Sequence, residues 1–213
     1  ELAALQARLC IENGVTSEAD MAEIAAAARK NALRNPFAQL AWDRSAADVL
    51  AEPYLANPLR RSDCPPISDG GVAIALAAGD RARELCARPA WIRGLDHRID
   101  GASPTTRDIT TAPSAQLAAA NVGVGNDKVD VAEIHAPFSH QHRILTRSLG
   151  LADDAVVNPS GGALSANPIM AAGLIRLGEV AARIHDGSAD RGVAHATGGQ
   201  LLQHNLVAVL EGE

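Results

Sequence analysis

Four polar side chains and one glycine pair in the second half of this chain have the types and spacing for chemistry at a carbonyl carbon. His135 closes an apolar run in Glu133-Ile134-His135-Ala136-Pro137-Phe138. The carboxyl ends of strands are where α/β proteins place ligands. An imidazole there can donate from Nε2 to a developing oxyanion, or it can cap the next helix or bond a backbone carbonyl. His195 ends a second apolar run, in Val193-Ala194-His195-Ala196-Thr197-Gly198-Gly199. Imidazole titrates near neutral pH, which suits general acid–base work; the alternative is a core histidine bonded to backbone. Between them lies Asn158-Pro159-Ser160-Gly161-Gly162-Ala163-Leu164-Ser165-Ala166-Asn167-Pro168. Gly161-Gly162 lets backbone amides approach a ligand closely, and a following helix would aim its positive end at the same place. The alternative is a plain tight turn. Ser160 adds a turn hydroxyl. Asn167 followed by Pro168 has the form of an N-cap and first-turn residue; its amide can also donate to an oxyanion, but it is neither acid nor base.

The elements that must position these residues follow from periodicity. Leu2, Leu5 and Leu9 sit at helical spacing, with Gly14 as a C-cap. Ser17 with Asp20 starts a second helix whose face is Met21, Ile24, Ala25 and Ala28, ended by Asn35-Pro36. Ser45 with Asp48 repeats the cap for a short third helix. Residues 53–69 contain four prolines and predict an extended loop. Gly71 to Ala78 is a continuous apolar run of strand length, and Asp80 to Cys86 a short helix. Strands are expected over Ala90–Leu95, Lys128–His135, Val156–Val157, Val193–Thr197 and Leu206–Leu210. Helices are expected over Thr110–Gly123, Phe138–Leu149 and Pro168–His185. This alternation predicts an α/β layered fold, with a helix-rich front and a compact α/β back divided near residues 87–89.

Composition bounds the function. The chain has 213 residues with a net charge of −6 and no basic cluster, which disfavours nucleic acid. Arg60-Arg61 is the longest basic run and is expected to be a solvated pair. No apolar run is long enough to span a bilayer. Aromatic residues are 2% of the chain, so the core must be aliphatic. The cysteines, Cys10, Cys64 and Cys86, have no metal spacing, and an odd count fits a reduced, cytoplasmic chain. No metal site is expected: His140 and His142 lack the i, i+4 spacing of a helical pair and are expected on a helix surface or interface. His204 has no assigned role. The chain opens inside a helix without an initiator Met, which reads as a piece of a longer protein.

The stretch from Asn158 to Pro168 resembles the Asn-x-x-Gly-Gly-x-x-x-x-Gly-His-Pro signature of the thiolase superfamily, closest to its lipid-transfer or sterol-carrier branch. Here Asn167 replaces the Gly-His pair, one residue shorter. His135-Ala136-Pro137-Phe138 resembles the Asn-Glu-Ala-Phe turn, which is His-Asp-Cys-Phe in that branch; Pro137 at the cysteine's place excludes a cysteine acid–base there. His195 falls at about the place of the Cys-x-Gly cysteine. Ser62 to Gly70 resembles the Asp-Gly-Ala segment that crosses near the bound acyl group, with Cys64 as packing.

The resemblance runs from end to end. It implies an α/β thiolase-like layered fold: a C-terminal βαβαβ half plus a helical loop-domain portion. Residues 1–68 would be the helix-rich region covering acyl-CoA, 69–88 the last segment of the N-terminal half, and 89–213 the C-terminal domain. It implies His135, His195 and Asn167 as catalytic residues, and Ser160, Gly161, Gly162 and Gly198 as substrate-binding. The CoA thioester is substrate, with no further cofactor. The nucleophilic cysteine belongs to the N-terminal half, which must come from the same polypeptide or a partner chain in a homo- or hetero-oligomer, because a single half leaves an apolar face uncovered.

Three functions follow from the resemblance. The first is an acyltransferase in lipid or sterol degradation, performing 3-oxoacyl-CoA thiolysis or the reverse Claisen condensation. The second is a retro-aldolase on the same scaffold acting with an OB-fold partner protein, although the tyrosines of those relatives are absent here. The third is a non-catalytic thiolase-like subunit that binds acyl-CoA.

Overall fold

The computed structural model describes residues 1–212. The front of the chain is helical: α1 (Leu2–Glu12), α2 (Glu18–Asn31) and α3 (Ala46–Leu50). Both expected capping boxes form. The Ser17 hydroxyl accepts the Asp20 N–H while the Asp20 carboxylate accepts the Ser17 N–H, and Ser45 and Asp48 repeat the pattern. Small residues on α2 (Ala22, Ala25, Ala28) pack against Val49 of α3 and Leu164 of the later glycine turn. A short hairpin, β1 (Tyr54–Ala56) and β2 (Leu59–Arg60), follows, then α4 (Gly79–Leu85).

The back of the chain builds one five-stranded sheet from β3 (Trp91–Ile99), β4 (Val131–Ile134), β5 (Val156–Val157), β6 (Arg191–Gly198) and β7 (His204–Glu211), in the order β3-β7-β6-β4-β5. Strand β4 is parallel to both neighbours, whereas β7 is antiparallel to β6 and β3. Side chains alternate between the faces. Ala132, Ile134, Val193 and Val207 pack against α5 (Pro113–Asn121) and α6 (Ser139–Ser148). Val131, Ala194 and Ala208 pack against Val180 and Ile184 of α8 (Ala172–His185). The chain leaving β4 therefore enters α6 on one face, and the chain leaving β5 reaches α8 on the other. Their carboxyl ends diverge and open a crevice, the place where open α/β sheets bind ligands. The expected α/β layered fold is the observed one.

Three local expectations change. Residues 71–78 form no strand. Val72 and Ile74 are half-buried, with Ile74 lying over Gly178 of α8, while Leu76 is 77% exposed. A strand needs a ladder partner, and among the described residues this segment has none. The helix expected from Pro168 starts at Ala172, leaving Ile169 and Met170 exposed in the loop before it. Gly161-Gly162 instead opens a one-turn helix, α7 (Gly162–Ser165). Arg60 is no solvated residue: it is buried and ion-paired with Glu18 at 2.7 Å. Among the described residues no helix is long and apolar enough to cross a membrane.

Candidate active site

His135 follows directly on β4, its N–H donating to the His195 carbonyl of β6. The side chain is buried, with Nδ1 lying 3.1 Å from the Thr197 carbonyl and Nε2 2.8 Å from Asn167 Oδ1. A backbone carbonyl can only accept, so Nδ1 carries the proton. Burial lowers the pKa of His135, against the pull of its two hydrogen bonds. The resting ring is therefore neutral with its lone pair on Nε2; the Asn167 oxygen stands 2.8 Å from that nitrogen, and a half-turn of the carboxamide would present its NH2 to the lone pair instead. When Nε2 takes a proton, the same carboxamide can present its oxygen. The donor role expected at Nε2 thus belongs to the protonated ring, and the neutral ring has a lone pair there that can accept a proton.

Asn167 is not the N-cap of α8, which begins five residues later. The intervening loop frees its side chain to reach His135, and its N–H donates to Ser68 Oγ at 3.1 Å. Clefts flank the pair. One of about 340 Å³ lies by Asn167, Pro168, Ser68 and Gly70. The other, of about 550 Å³, lies by Thr197, Gly199, Pro137 and Phe138. Gly198 ends β6 at the edge of this second cleft.

The glycine turn is held by a buried charge that periodicity alone does not reveal. Glu133 on β4 is fully buried and accepts the N–H and the hydroxyl of Ser160, at 2.9 and 2.7 Å. Arg176 of α8 pairs with the same carboxylate at 2.8 Å and also donates to Ser160 Oγ. Burial pushes the Glu133 carboxyl upward, opposed by Arg176 and Ser160. Ser160 Oγ then accepts the Gly162 N–H, so Ser160 supports the turn from behind. Gly161 has φ +92, and a Cβ there would come within 2.7 Å of Ala32. The signal in the sequence was a lone Glu inside the apolar run Val131-Ala132-Glu133-Ile134, and an Arg on the buried face of α8.

His195 lies on the strand beside His135 but faces the other side of the sheet. Its Nε2 donates to Asn205 Oδ1 at 2.8 Å, because the Asn205 NH2 is taken up by Ser114 Oγ and the Leu202 carbonyl. Ser114 in turn donates to Asp100 at 2.6 Å. Nδ1 of His195 keeps its lone pair and has no partner among the described residues. Burial lowers its pKa to about 4. The structure thus groups His135, Asn167 and Thr197 and sets the His195 ring apart from them. Thr197 and Asn205 were missed, since each gains a role only through strand register.

His140 was expected on a surface and is instead fully buried, bonded to Gln6 Oε1 at 3.0 Å; α1 covers that face of α6. His204 stacks on His97 with ring centroids 5.9 Å apart. Burial pushes the Cys10 thiol up to about 12 and the Cys64 thiol up to about 11, and neither is a thiolate at neutral pH. Among the described residues no cluster of ligating side chains could hold a metal.

Comparison with known proteins gives consistent likenesses. No family model matches the chain. An acetyl-CoA acetyltransferase of Methanothermobacter thermautotrophicus is 29% identical, over 92% of this chain and 56% of its own length. The benzoylsuccinyl-CoA thiolase subunit BbsB of Thauera aromatica is 28% identical, over 80% of this chain and 50% of its own. A beta-ketoadipyl-CoA thiolase of Acinetobacter baylyi is 35% identical over 50% of this chain and 27% of its own. The chain spans about half the length of the first two of these. Among solved structures, an Ltp2-ChsH2(DUF35) aldolase superposes with a TM-score of 0.80, covering 99% of this chain and 62% of that one, at 21% identity.

Proposed function

We propose, from the premise that this chain is thiolase-like in sequence over most of its length and in fold, that it supplies one wall of an acyl-CoA thioester site in a thiolase-type acyltransferase. The carrying observation is His135, buried at the end of β4 with Nδ1 on the Thr197 carbonyl and Nε2 on Asn167. In this reading Nε2 takes the proton from an attacking thiol. The imidazolium that results, stabilised by the Thr197 and Asn167 oxygens, faces the oxyanion formed at the thioester carbonyl. Ser160, Gly161, Gly162 and Gly198 shape the binding wall. His195, bonded through Asn205, holds the ends of β6 and β7 beside His135.

In this reading the nucleophilic cysteine comes from the N-terminal half, where the resemblance places it, and not from Cys10, Cys64 or Cys86. Residues 1–68 cover the acyl-CoA, 69–88 pass into the other half, and 89–213 form the C-terminal domain. That half, or a partner chain in an oligomer, lies over the exposed run at 71–78. The protein works in the cytoplasm, in breakdown of lipid-type 3-oxoacyl-CoA or the reverse Claisen condensation. The test is thiolysis of acetoacetyl-CoA by the protein together with the other half. Turnover that depends on His135 supports the reading, and its absence in a correctly folded complex refutes it.

A second reading is favoured by one residue. Asn167 cannot exchange a proton where the resembled signature has a histidine. A retro-aldolase acting with an OB-fold partner protein needs proton transfer at His135 but no cysteine. Release of an aldehyde or ketone from a 3-hydroxyacyl-CoA, without any CoA thiol consumed, separates it from thiolysis. A non-catalytic subunit binding acyl-CoA would release neither product.

A further inference from the structure

His135 and Asn167 meet at 2.8 Å, but they are not equally held. The His135 backbone is tied to β6 through its N–H. Asn167 stands in a loop whose nearby residues Ile169 and Met170 are 75% and 99% exposed. Keeping a loop side chain in one rotamer costs conformational entropy. Some other part of the chain must therefore fix Asn167 where His135 can use it.

One stretch touches both places. Asp63 is 1% exposed. Its Oδ2 accepts the Arg60 N–H at 2.8 Å, and its Oδ1 accepts the Ser139 hydroxyl at 2.6 Å. Ser139 is fully buried and opens α6, directly after the turn that follows His135. Cys64 packs with Phe138 of that turn in the cluster of Met21 and Leu59. Further on, the Ser68 hydroxyl accepts the Asn167 N–H at 3.1 Å. The Gly70 backbone then passes so close to Pro168 that a Cβ would come within 3.0 Å of the proline ring.

The link between these anchors is stiff. It consists of Cys64, Pro65, Pro66 and Ile67. Each proline fixes its own φ and keeps the residue before it extended; Cys64 has φ −108 and ψ 149. Behind the link, Arg29 of α2 is buried, and its Nη2 donates to the Ser62 and Cys64 carbonyls at 3.5 and 3.3 Å. The Arg29 Nε and Nη1 have no hydrogen-bond partner among the described residues, so its hydrogen bonds go to this segment.

We propose that residues 63–68 form a strap that sets the His135–Asn167 contact, with Asp63 and Ser68 as positioning residues. Asp63 ties one end to the start of α6, beside His135, and Ser68 ties the other to Asn167. Only the kinetic consequence rests on the thioester reading; the contact itself does not.

The test compares Ser139→Ala and Ser68→Ala, each of which removes one anchor, with Ser62→Ala. The Ser62 hydroxyl donates to Glu52 at 2.8 Å, so this control loosens the same segment ahead of the strap. All are made in the protein together with the other half. The NMR signals of the Asn167 side-chain NH2 read the contact. They should stay those of a held carboxamide in the parent and in Ser62→Ala. They should move to the positions of a free carboxamide in Ser68→Ala, in Ser139→Ala and in the double variant. Should Ser139→Ala not fold, Pro65→Gly with Pro66→Gly softens the strap without touching an anchor and should move the same signals. In acetoacetyl-CoA thiolysis each single should lower kcat at least about five-fold with KM within about two-fold. The double should fall no further than the worse single, because breaking either anchor frees the strap. Asn167 signals unmoved by loss of the α6 anchor or by softening, signals moved equally by Ser62→Ala, or losses that multiply in the double overturn the strap. Signals that move as expected while turnover stays at the parent level support the strap and refute the thioester role of the contact.

Discussion

His135 Nε2 lies 2.8 Å from Asn167 Oδ1, and this contact ties the end of β4 to the loop that precedes α8. A carboxamide can offer either its NH2 or its oxygen, so the same residue supports His135 before and after it takes a proton. Asn167→Ala removes that support, and kcat should fall roughly 10- to 100-fold, about 1.4–2.7 kcal/mol of transition-state stabilisation. Asn167→Asp places a negative charge against the ring and favours the imidazolium. The acid limb of the kcat/KM profile should then move to higher pH. An unmoved limb would mean that His135 does not titrate in the reaction.

The buried pair Glu133–Arg176 makes a stability prediction. Arg176→Met leaves the Glu133 carboxylate in the core with only the longer, 3.8 Å contact to Arg183, which costs up to about 3–5 kcal/mol. The double variant Glu133→Gln, Arg176→Met should recover part of that loss. Urea unfolding of the two singles and the double measures the coupling, and simple additivity would show that the pair does not act as a unit.

Four histidines with pKa values lowered by burial, His135, His140, His142 and His195, contribute to the acid stability. Burial lowers His140 to about 3 and His142 and His195 to about 4, against about 6.5 in an unfolded chain. Between those values the unfolded state binds more protons. The stabilisation is complete above about pH 6.5 and is lost as pH falls towards 4. Each histidine contributes up to about 1.4 kcal/mol per pH unit in that window. His195→Gln should remove about one proton from the unfolding uptake, measured as the slope of stability against pH. An unchanged slope would place the neutral form of His195 in doubt.

The apolar run at residues 71–78 has a strand's sequence and, among the described residues, no strand to pair with. Its amides should exchange with deuterium at nearly unprotected rates in residues 1–213, and become protected once the other half is present. Protection in the shorter chain alone would contradict the idea that a sheet edge from elsewhere covers the run.

Much of the fold could be read from local patterns. The caps at Ser17 and Ser45 and the β4-to-α6 and α8-to-β6 alternation are encoded by near neighbours. The misreadings share one cause, which is that the deciding contact is distant in sequence. Asn167-Pro168 has the local form of a helix start, but His135, 32 residues away, takes the side chain. His140 looked like a surface residue because nothing nearby shows that Gln6, 134 residues away, will cover it. Of the candidate site, the placement of His135 at a strand end and the tight turn at Gly161-Gly162 were legible, and the Glu133–Ser160–Arg176 support was not. The direction of the His195 ring became clear only with the pairing of β6 and β7.

The central claim is that His135 Nε2 exchanges a proton in acyl-CoA chemistry. Its most direct test is the kcat for acetoacetyl-CoA thiolysis by the complete protein carrying His135→Gln. Gln keeps a hydrogen-bonding side chain near Thr197 and Asn167 but cannot take a proton. The account predicts a fall in kcat of at least about 100-fold, in the range of general acid–base catalysis, with KM and the thermal midpoint little changed. A kcat within about three-fold of the parent, less than about 0.7 kcal/mol, would contradict it.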